Sequence, residues 1–281
     1  MLVSLVEFPR LAVSKGGDNM WFRCKGSSEQ LKIVTWAGGT DEEICAMVQA
    51  ADEGKIDLSD YWAVGDERTV HLSAMAATGV GESHAEQDVT LVLMHAGGYE
   101  LNEAVASGRN TCSFVVGMKN SLSDYGGYMN SNDAAPNSWD GCARRAWCNN
   151  VFKNSLPNSL LPIFKQFKTI AAETYNGTTL KTSIDWFALP AAKEIFGGTA
   201  TSAGTSTKLS NLTEFNALSQ FTWYETEANR IKSGSTKTAF PWWERSLFYN
   251  DTGAFCLVDI HGGTTGVAWR GGYGLSPFGC I

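Results

Sequence analysis

The residues best suited to metal binding or nucleophilic chemistry are scattered along this sequence. The four histidines, His71, His84, His95 and His261, are far apart, and no H-E-x-x-H motif is present. Zinc sites and histidine-assisted catalysis need ligands or partners at set spacings. We therefore predict a structural or surface role for each histidine, with no metal and no cofactor.

One short segment does place an acid, a serine and a histidine together, at Glu82, Ser83 and His84. Adjacent residues on a strand point to opposite faces, so these side chains would not converge on one site. A turn with local hydrogen bonds fits the segment better. The phosphate-binding motif G-x-x-x-x-G-K-[ST] is also missing from the sequence. We predict that the protein is not an enzyme.

The cysteines favour a reduced protein. The seven cysteines are Cys24, Cys45, Cys112, Cys142, Cys148, Cys256 and Cys280. Their number is odd, their spacings are irregular and no C-x-x-C pair occurs, which argues against a disulfide framework. We predict that they are buried free thiols.

The charge of the chain limits its partners. It has 29 acidic and 22 basic residues, a net charge of -7. Nucleic-acid binding needs clustered cations, so we expect no nucleic-acid partner. We interpret the pair Arg144 and Arg145 as the solvated or salt-bridged face of a helix.

Membrane insertion is not expected either. No stretch of the sequence approaches the roughly 20 consecutive apolar residues that a spanning helix needs. Residues 1–7 carry neither a basic leader nor a long apolar run, so we also expect no signal peptide.

Short strands and one helix are predicted in the first part of the chain. Strand-like apolar patterns cover residues 1–7, 20–24, 31–36, 61–75 and 89–93. A capping box formed by Thr40 and Glu43 predicts the start of a helix, whose apolar repeat ends at Gly54. We interpret residues 1–58 as a small N-terminal β/α extension and residues 59–281 as the main domain.

The middle of the chain has two apolar stripes at helical spacing, over residues 139–151 and 160–170. They predict two core-facing helices. Residues 197–208 are rich in Gly, Ser and Thr and predict a flexible loop. From residue 239 onward the pattern changes to short strands and turns. Together these elements indicate an α+β domain with a loop-rich C-terminal β region.

Several sequence motifs carry a resemblance to a known family. They are W-W-E-R-S at residues 242–246, F-C-L-V at 255–258 and G-L-S-P-F-G-C-I at 274–281, together with Y-W-A-V-G-D-E-R-T-V at 61–70 and the predicted helix 139–151. They resemble a C-type-lectin-like family that is common in bacterial genomes and phages, and the resemblance covers most of the chain. Some members are variable proteins of diversity-generating retroelements. In those, mutagenic reverse transcription randomises adenines in a C-terminal segment, and the randomised side chains form the binding face.

This resemblance makes a prediction about composition. An AAC codon with both adenines randomised cannot encode Lys, Glu, Gln, Met or Trp. Uniform usage would place about five Lys, Glu, Gln and Met residues in residues 246–281, and the segment contains none. Chance gives such a result on the order of once in a few hundred. Trp269 is an exception and must be a fixed position or arise from another codon.

Two patches within this tail, residues 248–253 and 259–273, have the composition expected of diversified positions between fixed flanks. The predicted ligand-binding residues are Phe248, Tyr249, Asn250, Asp251, Thr252, Asp259, Ile260, His261, Thr264, Thr265, Trp269, Arg270 and Tyr273. Their mixture of aromatic, charged and small residues has no strand or helix period and is typical of a paratope. The resemblance implies binding to a protein or glycan of a host or bacterial surface, from a virion or a bacterial cell surface, and it is compatible with a homo-oligomer. Trp242, Trp243 and Phe278 would be scaffold beneath the site.

Two alternative functions follow from other readings of the same tail. A structural phage fibre or decoration protein would use it to pack against a neighbouring subunit. An oxidase similar to formylglycine-generating enzymes, which resemble this family in fold, would bring Cys256 and Cys280 together at an open cleft. The Glu-Pro-Asn and Gln-Pro-Asp motifs of calcium-dependent lectins are missing from the sequence, so calcium is not implied.

Overall fold

We describe the protein from a computed structural model. It covers residues 20–23, 30–122, 126–130, 138–174, 179–197, 214, 217–234, 236–248, 253–268 and 271–281, with the backbone alone for residues 20–23, 30, 267 and 268. The architecture is mixed α+β, with few helices and several antiparallel sheets. Among the described residues, none of the helices has the length and apolar character needed to span a bilayer.

The described strands and helices are short. In chain order the strands are β1 (Met20–Arg23), β2 (Gln30–Ile33), β3 (Glu67–Leu72), β4 (Gln87–Ala96), β5 (Phe114–Met118), β6 (Phe167–Ala172), β7 (Leu180–Asp185), β8 (Phe187–Ala188), β9 (Trp242–Leu247), β10 (Ala254–Val258), β11 (Thr264–Ala268) and β12 (Phe278–Cys280). The α-helices are α1 (Asp41–Asp52), α2 (Ala143–Trp147), α3 (Lys153–Ser155) and α4 (Ala192–Phe196). A π-helical turn, Cys148–Phe152, joins α2 to α3. Single 3-10 turns lie at Leu58–Asp60, Leu161–Ile163, Thr222–Glu225 and Glu227–Arg230.

The predicted capped helix is confirmed as α1. Thr40 is its N-cap: the hydroxyl of Thr40 accepts a hydrogen bond from the Glu43 amide at 3.3 Å, and the Glu43 carboxylate accepts one from the Thr40 amide at 2.9 Å. These bonds satisfy amides that the first helical turn leaves unpaired. The chain leaves the helix through Gly54, whose φ of 71° is rarely adopted by other residues.

Two antiparallel sheets organise the rest of the fold. The larger has the strand order β3-β4-β5-β12-β8, so β12 is inserted between β5 and β8. The smaller has the order β11-β10-β9, and β1-β2 and β6-β7 form two-stranded sheets. The predicted strands over residues 20–24 and 89–93 are confirmed in β1 and β4 over the described residues, whereas β2 covers only residues 31–33 of the predicted 31–36 and β3 covers only part of residues 61–75. Residues 1–7 lie outside the described residues, as do residues 198–208 of the predicted loop.

One predicted helix is confirmed and the other is wrong. Helical turns cover residues 143–155, as the first apolar stripe predicted. Residues 160–170 instead form the 3-10 turn Leu161–Ile163 and the start of β6, which pairs with β7. Pro162 lacks the amide that an α-helix needs, and buried residues alternate along β6 from Phe167, the period of a strand. Leu160, Ile163, Phe164 and Phe167 are nevertheless in the core, as predicted, whereas Ile170 is only half-buried.

A continuous hydrophobic core extends from Trp36 to Ile281 and includes Ile44 of α1. Trp242 and Trp243 are fully buried within it, and Phe278 is 1% exposed. These three side chains are therefore scaffold, as predicted. Trp242 and Trp243 belong to β9 of the small sheet, and Phe278 belongs to β12 of the larger one.

Candidate ligand-binding surface

One predicted patch, residues 248–253, is a connection of the small sheet, and the other, residues 259–273, includes a connection, strand β11 and the residues after it. Residues 248–253 join β9 to β10, and residues 259–263 join β10 to β11. Phe255 pairs with Leu247 and Ala254 with Ala268, whereas Val258 pairs with both Trp242 and Thr264. The two connections therefore leave opposite ends of the sheet, about 13 Å apart at the strand rise of 3.3 Å per residue.

We call the end at Leu247, Ala254 and Ala268 the loop end, and the end at residues 259–263 the turn end. At the loop end β9 ends, β10 begins and β11 ends. Among the predicted residues that flank these strand ends in sequence, Tyr249, Asn250, Asp251, Thr252, Trp269 and Arg270 lie outside the described residues. Phe248 is half-buried at the loop end. Tyr273 is also half-buried, but it lies beside the start of β9 at the turn end, because the next residue, Gly274, forms a bridge with Trp242, which is opposite Val258.

Phe248 lies across the small sheet. A Cβ built on Gly266 would be 2.1 Å from Cδ2 of the Phe248 ring, so the ring occupies the space that any other residue at 266 would need. The Phe248 amide donates a hydrogen bond to the Ala254 carbonyl at 3.0 Å. Part of the Phe248 ring therefore packs against the small sheet, and the rest of this half-buried side chain is exposed.

This contact predicts the effect of Gly266→Ala. The added methyl collides with the Phe248 ring, and the overpacking should cost about 1–3 kcal/mol of unfolding free energy. The double variant Phe248→Ala/Gly266→Ala should cost less than the sum of the two single changes, because the ring that clashes is gone. Urea denaturation of the four proteins measures this coupling, and simple additivity would contradict the contact.

Tyr273 packs edge-on against Trp243, with ring centroids 5.0 Å apart and an interplanar angle of 86°. A Cβ on Gly271 would be 2.0 Å from the Tyr273 ring, so a residue with a side chain would not fit at position 271. The packed aromatic pair fixes the direction of Tyr273 beside the start of β9, where Trp243 pairs with Leu257.

The turn end is built around Asp259. Oδ1 of Asp259 accepts hydrogen bonds from the amides of His261 at 2.7 Å and Gly263 at 2.9 Å. Its carboxylate therefore shapes the turn. Ile260, at 45% exposed, and His261 point to solvent, while Gly262 packs against Arg230 and Ile231.

Thr264 was predicted to contact ligand, and that prediction is wrong. Its side chain is 3% exposed, and its hydroxyl donates to Oε1 of the buried Glu244 at 3.2 Å. A buried carboxyl group needs such a donor, so the hydroxyl is used inside the protein. Burial raises the pKa of Glu244 well above its usual range. Thr265, next along β11, is half-buried and stays a predicted contact.

Residues 126–128 border Tyr273, and the sequence patterns did not reveal them. The Gly126 amide donates to the Tyr273 carbonyl at 2.9 Å, and the Trp243 indole N–H donates to the Gly127 carbonyl at 2.9 Å. Gly127 has a φ of 92° and lies too close to the Val80 carbonyl for a side chain. Tyr128 is 36% exposed. In the sequence, the Gly126-Gly127 pair is the one feature that marks this segment. Two adjacent glycines do not reveal which residues pack against them.

Arg144 holds this segment in place, which corrects the prediction that it is solvated or salt-bridged. Its side chain is fully buried, and its guanidinium donates to the carbonyls of Val80, Gly126 and Tyr128. Burial lowers the pKa of Arg144 to about 10. Arg145 agrees with the prediction, because its Nε lies 2.6 Å from Oδ1 of Asp185.

The histidines do not form a site with one another. In the described part of the chain, no group of three or more His, Cys, Asp and Glu side chains could hold a metal ion. His71 pairs with Asp88 at 2.8 Å, His95 hydrogen bonds to Thr222 at 3.0 Å, and His84 packs against Trp147. The segment around Glu82 folds back on itself through bridges between Thr78 and Gly81 and between Met75 and His84.

The cysteines are free thiols wherever the structure describes them, as predicted, and Cys24 lies outside those residues. Cys45 is half-buried and the other five are buried. Cys256 and Cys280 are both fully buried, and the Cys256 thiol lies 3.5 Å from the Leu247 carbonyl. The oxidase alternative needs an open cleft at these two thiols. Their burial shows that neither thiol faces such a cleft.

Comparison with known proteins places most of this architecture in a family. Residues 115–281 match the family described as a domain of unknown function, DUF6273, and the chain belongs to that family. The match runs from the second residue of β5 to the end of β12. It includes all three strands of the small sheet and strands β5, β8 and β12 of the larger one. Neither a curated protein nor a solved structure matches the chain.

Proposed function

We propose that this protein is a non-enzymatic binding protein of C-type-lectin fold, which recognises a protein or glycan on a host or bacterial surface through a diversified face. The observation that carries the proposal is the register of the small sheet. It places Leu247, Ala254 and Ala268, which flank residues 248–253 and precede residue 269 in sequence, side by side at the loop end of strands β9 and β10, whose side chains are all buried. A fixed sheet with exchangeable connections suits a surface that changes without unfolding the protein.

The composition of the tail supports the same proposal. Residues 246–281 contain no Lys, Glu, Gln or Met, although several of these positions lie in connections where such residues are common. Tyr273, Trp269 and Arg270 are residue types that dominate the binding energy of interfaces. We assign ligand binding to the loop end because residues 248–253 and the pair Trp269 and Arg270 adjoin its strand ends in sequence, whereas Asp259 at the turn end is used by its own turn.

Natural variation tests the diversification. Among isolates, we expect Tyr249, Trp269, Arg270 and Tyr273 to differ, while the buried Trp242 and Thr264 stay constant. Sequencing the gene neighbourhood should find a reverse transcriptase and an adenine-rich near-copy of the tail's coding sequence. The diversification is refuted if both are missing from a complete neighbourhood.

Binding itself is tested by comparing the two ends of the sheet. Fluorescently labelled protein is applied to a glycan array and to intact bacterial cells. The variant Tyr249→Ser/Trp269→Ser/Arg270→Ser should lose binding by roughly a hundredfold or more, since a single aromatic or arginine anchor worth about 2 kcal/mol already accounts for about thirtyfold. The matched control Ile260→Ser/His261→Ser changes the turn end and should stay within about twofold. Equal losses from the two variants would contradict the assignment to the loop end.

One observation favours the alternative of a structural phage component. Ile231 and Ile260 are 39% and 45% exposed, and Gly262 in the same turn packs against Ile231. Exposed apolar side chains that lie close together often mark a protein contact. Under this alternative, Ile231→Ser/Ile260→Ser would dissociate an oligomer in light-scattering measurements, and the loop-end residues would be constant among isolates.

A further inference from the structure

Two cysteines far apart in sequence are adjacent in the fold. The backbone joins their segments: the Ser113 amide donates to the Ile281 carbonyl at 2.6 Å, and the Ile281 amide donates to the Phe114 carbonyl at 3.0 Å. Cys280 is in β12, opposite Val115. Within this junction the side chains of Cys112 and Cys280 are close enough for each to shift the pKa of the other.

The two thiols differ in their access to solvent. Cys112 lines a surface cleft of about 340 Å³ together with Gly97, Arg109 and Ser113. Its sulfur lies 3.1 Å from the carbonyl oxygen of Gly97, which also faces that cleft. Cys280 is fully buried and does not line the cleft. A small molecule in the cleft would therefore reach Cys112 first, with Cys280 behind it.

The environments of the thiols also differ electrostatically. The neighbouring Cys280 side chain lowers the pKa of Cys112, and the positive charge of Arg109 acts in the same direction. Burial raises the pKa of Cys280. Burial likewise raises the pKa of the other described cysteines, which are Cys45, Cys142, Cys148 and Cys256. Because the thiolate is the reactive form and Cys112 is the one of these whose pKa is lowered, we expect a hydroperoxide to react first at Cys112.

We propose that Cys112 and Cys280 are a redox-active thiol pair, which hydrogen peroxide or an organic hydroperoxide oxidises to an intramolecular disulfide. The inference is independent of the proposed binding function. It rests on the contact between the two thiols and on the cleft that reaches only the first of them.

The chemistry needs no reagent besides the hydroperoxide. The Cys112 thiolate attacks the O–O bond, takes one oxygen as a sulfenic acid and releases water or an alcohol after proton transfer. The Cys280 thiol then attacks the sulfenic sulfur, the S–O bond breaks, and its proton leaves with the hydroxyl group as water. Two thiols are oxidised by two electrons and one hydroperoxide is reduced. The disulfide would tie β12 to the chain before β5 and close a long loop.

Mass spectrometry of the full-length folded protein tests the pair. After treatment with hydrogen peroxide, we expect a mass loss of about 2 Da and a cross-linked peptide that joins Cys112 to Cys280. The urea midpoint should rise after oxidation and return to its original value after reduction with dithiothreitol. In Cys280→Ser, the mass loss should vanish and Cys112 should collect sulfenic or sulfinic acid. The matched control Cys142→Ser removes another buried thiol and should leave the cross-link unchanged.

Three results would overturn the proposal. The first is a wild-type protein that keeps both thiols, or carries only a sulfinic acid at Cys112, after peroxide treatment. The second is a disulfide that peptide mapping assigns to another pair. The third is the same mass loss in Cys280→Ser. Since the first two results come from the wild-type protein, they hold even if a cysteine variant does not fold.

Discussion

Replacing Arg245 with methionine is expected to be among the most destabilising single changes in this protein. Arg245 is fully buried, and its two terminal nitrogens contact the two carboxylate oxygens of Glu194 at 2.6 and 2.7 Å. The guanidinium also donates to the Leu189 carbonyl at 2.8 Å and to the Tyr99 hydroxyl at 3.2 Å. Arg245→Met leaves the Glu194 carboxylate buried without its cation, which should cost about 3–5 kcal/mol of unfolding free energy.

The size of this effect comes from the unpaired charge, and a second variant isolates it. Arg245→Met/Glu194→Met removes both charges, so it should be more stable than Arg245→Met alone, although Ala191 and Tyr99 lose a hydrogen-bond acceptor. Lys168→Met is the matched control for an exposed pair, because Lys168 and Glu100 have side chains 35% and 54% exposed. It should cost about 1 kcal/mol or less. Urea denaturation measures all three, and a double variant less stable than Arg245→Met would contradict the explanation.

Local signals predicted the elements that depend on local chemistry. The bonds between Thr40 and Glu43 are made within four residues, so the capping box could be recognised without knowing the fold. The alternation of Val89, Leu91 and Leu93 likewise reflects one buried face of β4. The helix predicted over residues 160–170 is wrong because apolar residues spaced for a helix can also be buried on a strand and a turn. Pro162 was the one local signal against a helix there.

The candidate site depends on contacts that no local pattern contains. Arg144 and Arg145 are neighbours of one type, yet Arg144 binds carbonyls inside the protein while Arg145 pairs with Asp185. Thr264 and Thr265 differ in the same way, because only Thr264 faces the buried Glu244. The tail's composition predicted a set of ligand-binding residues. Only the strand register shows that Phe248 and Asp259, one from each predicted patch, lie at opposite ends of one sheet.

The buried Lys232 should make the stability of the protein depend on pH above neutrality. Its side chain is fully buried, and its ammonium group donates to the carbonyls of Met118 at 2.7 Å and Lys119 at 2.9 Å. It also lies 5.0 Å from the centre of the Trp242 ring. Burial lowers the pKa of Lys232 from its ordinary 10.5 to about 7. In the unfolded chain the same group would titrate near its ordinary pKa of 10.5.

The sign of the effect follows from proton binding. Below pH 7 both states carry the proton, so Lys232 adds no pH dependence. Between about pH 7 and 10.5 the unfolded chain holds the proton and the folded protein does not, so stability rises with pH. Relative to Lys232→Met, the wild-type protein should gain about 1.4 kcal/mol per pH unit in this range. Urea denaturation of both proteins at pH 6, 7.5 and 9 measures the difference. A difference that is constant from pH 6 to 9 would mean that the two carbonyls and the ring keep the ammonium charged in the core.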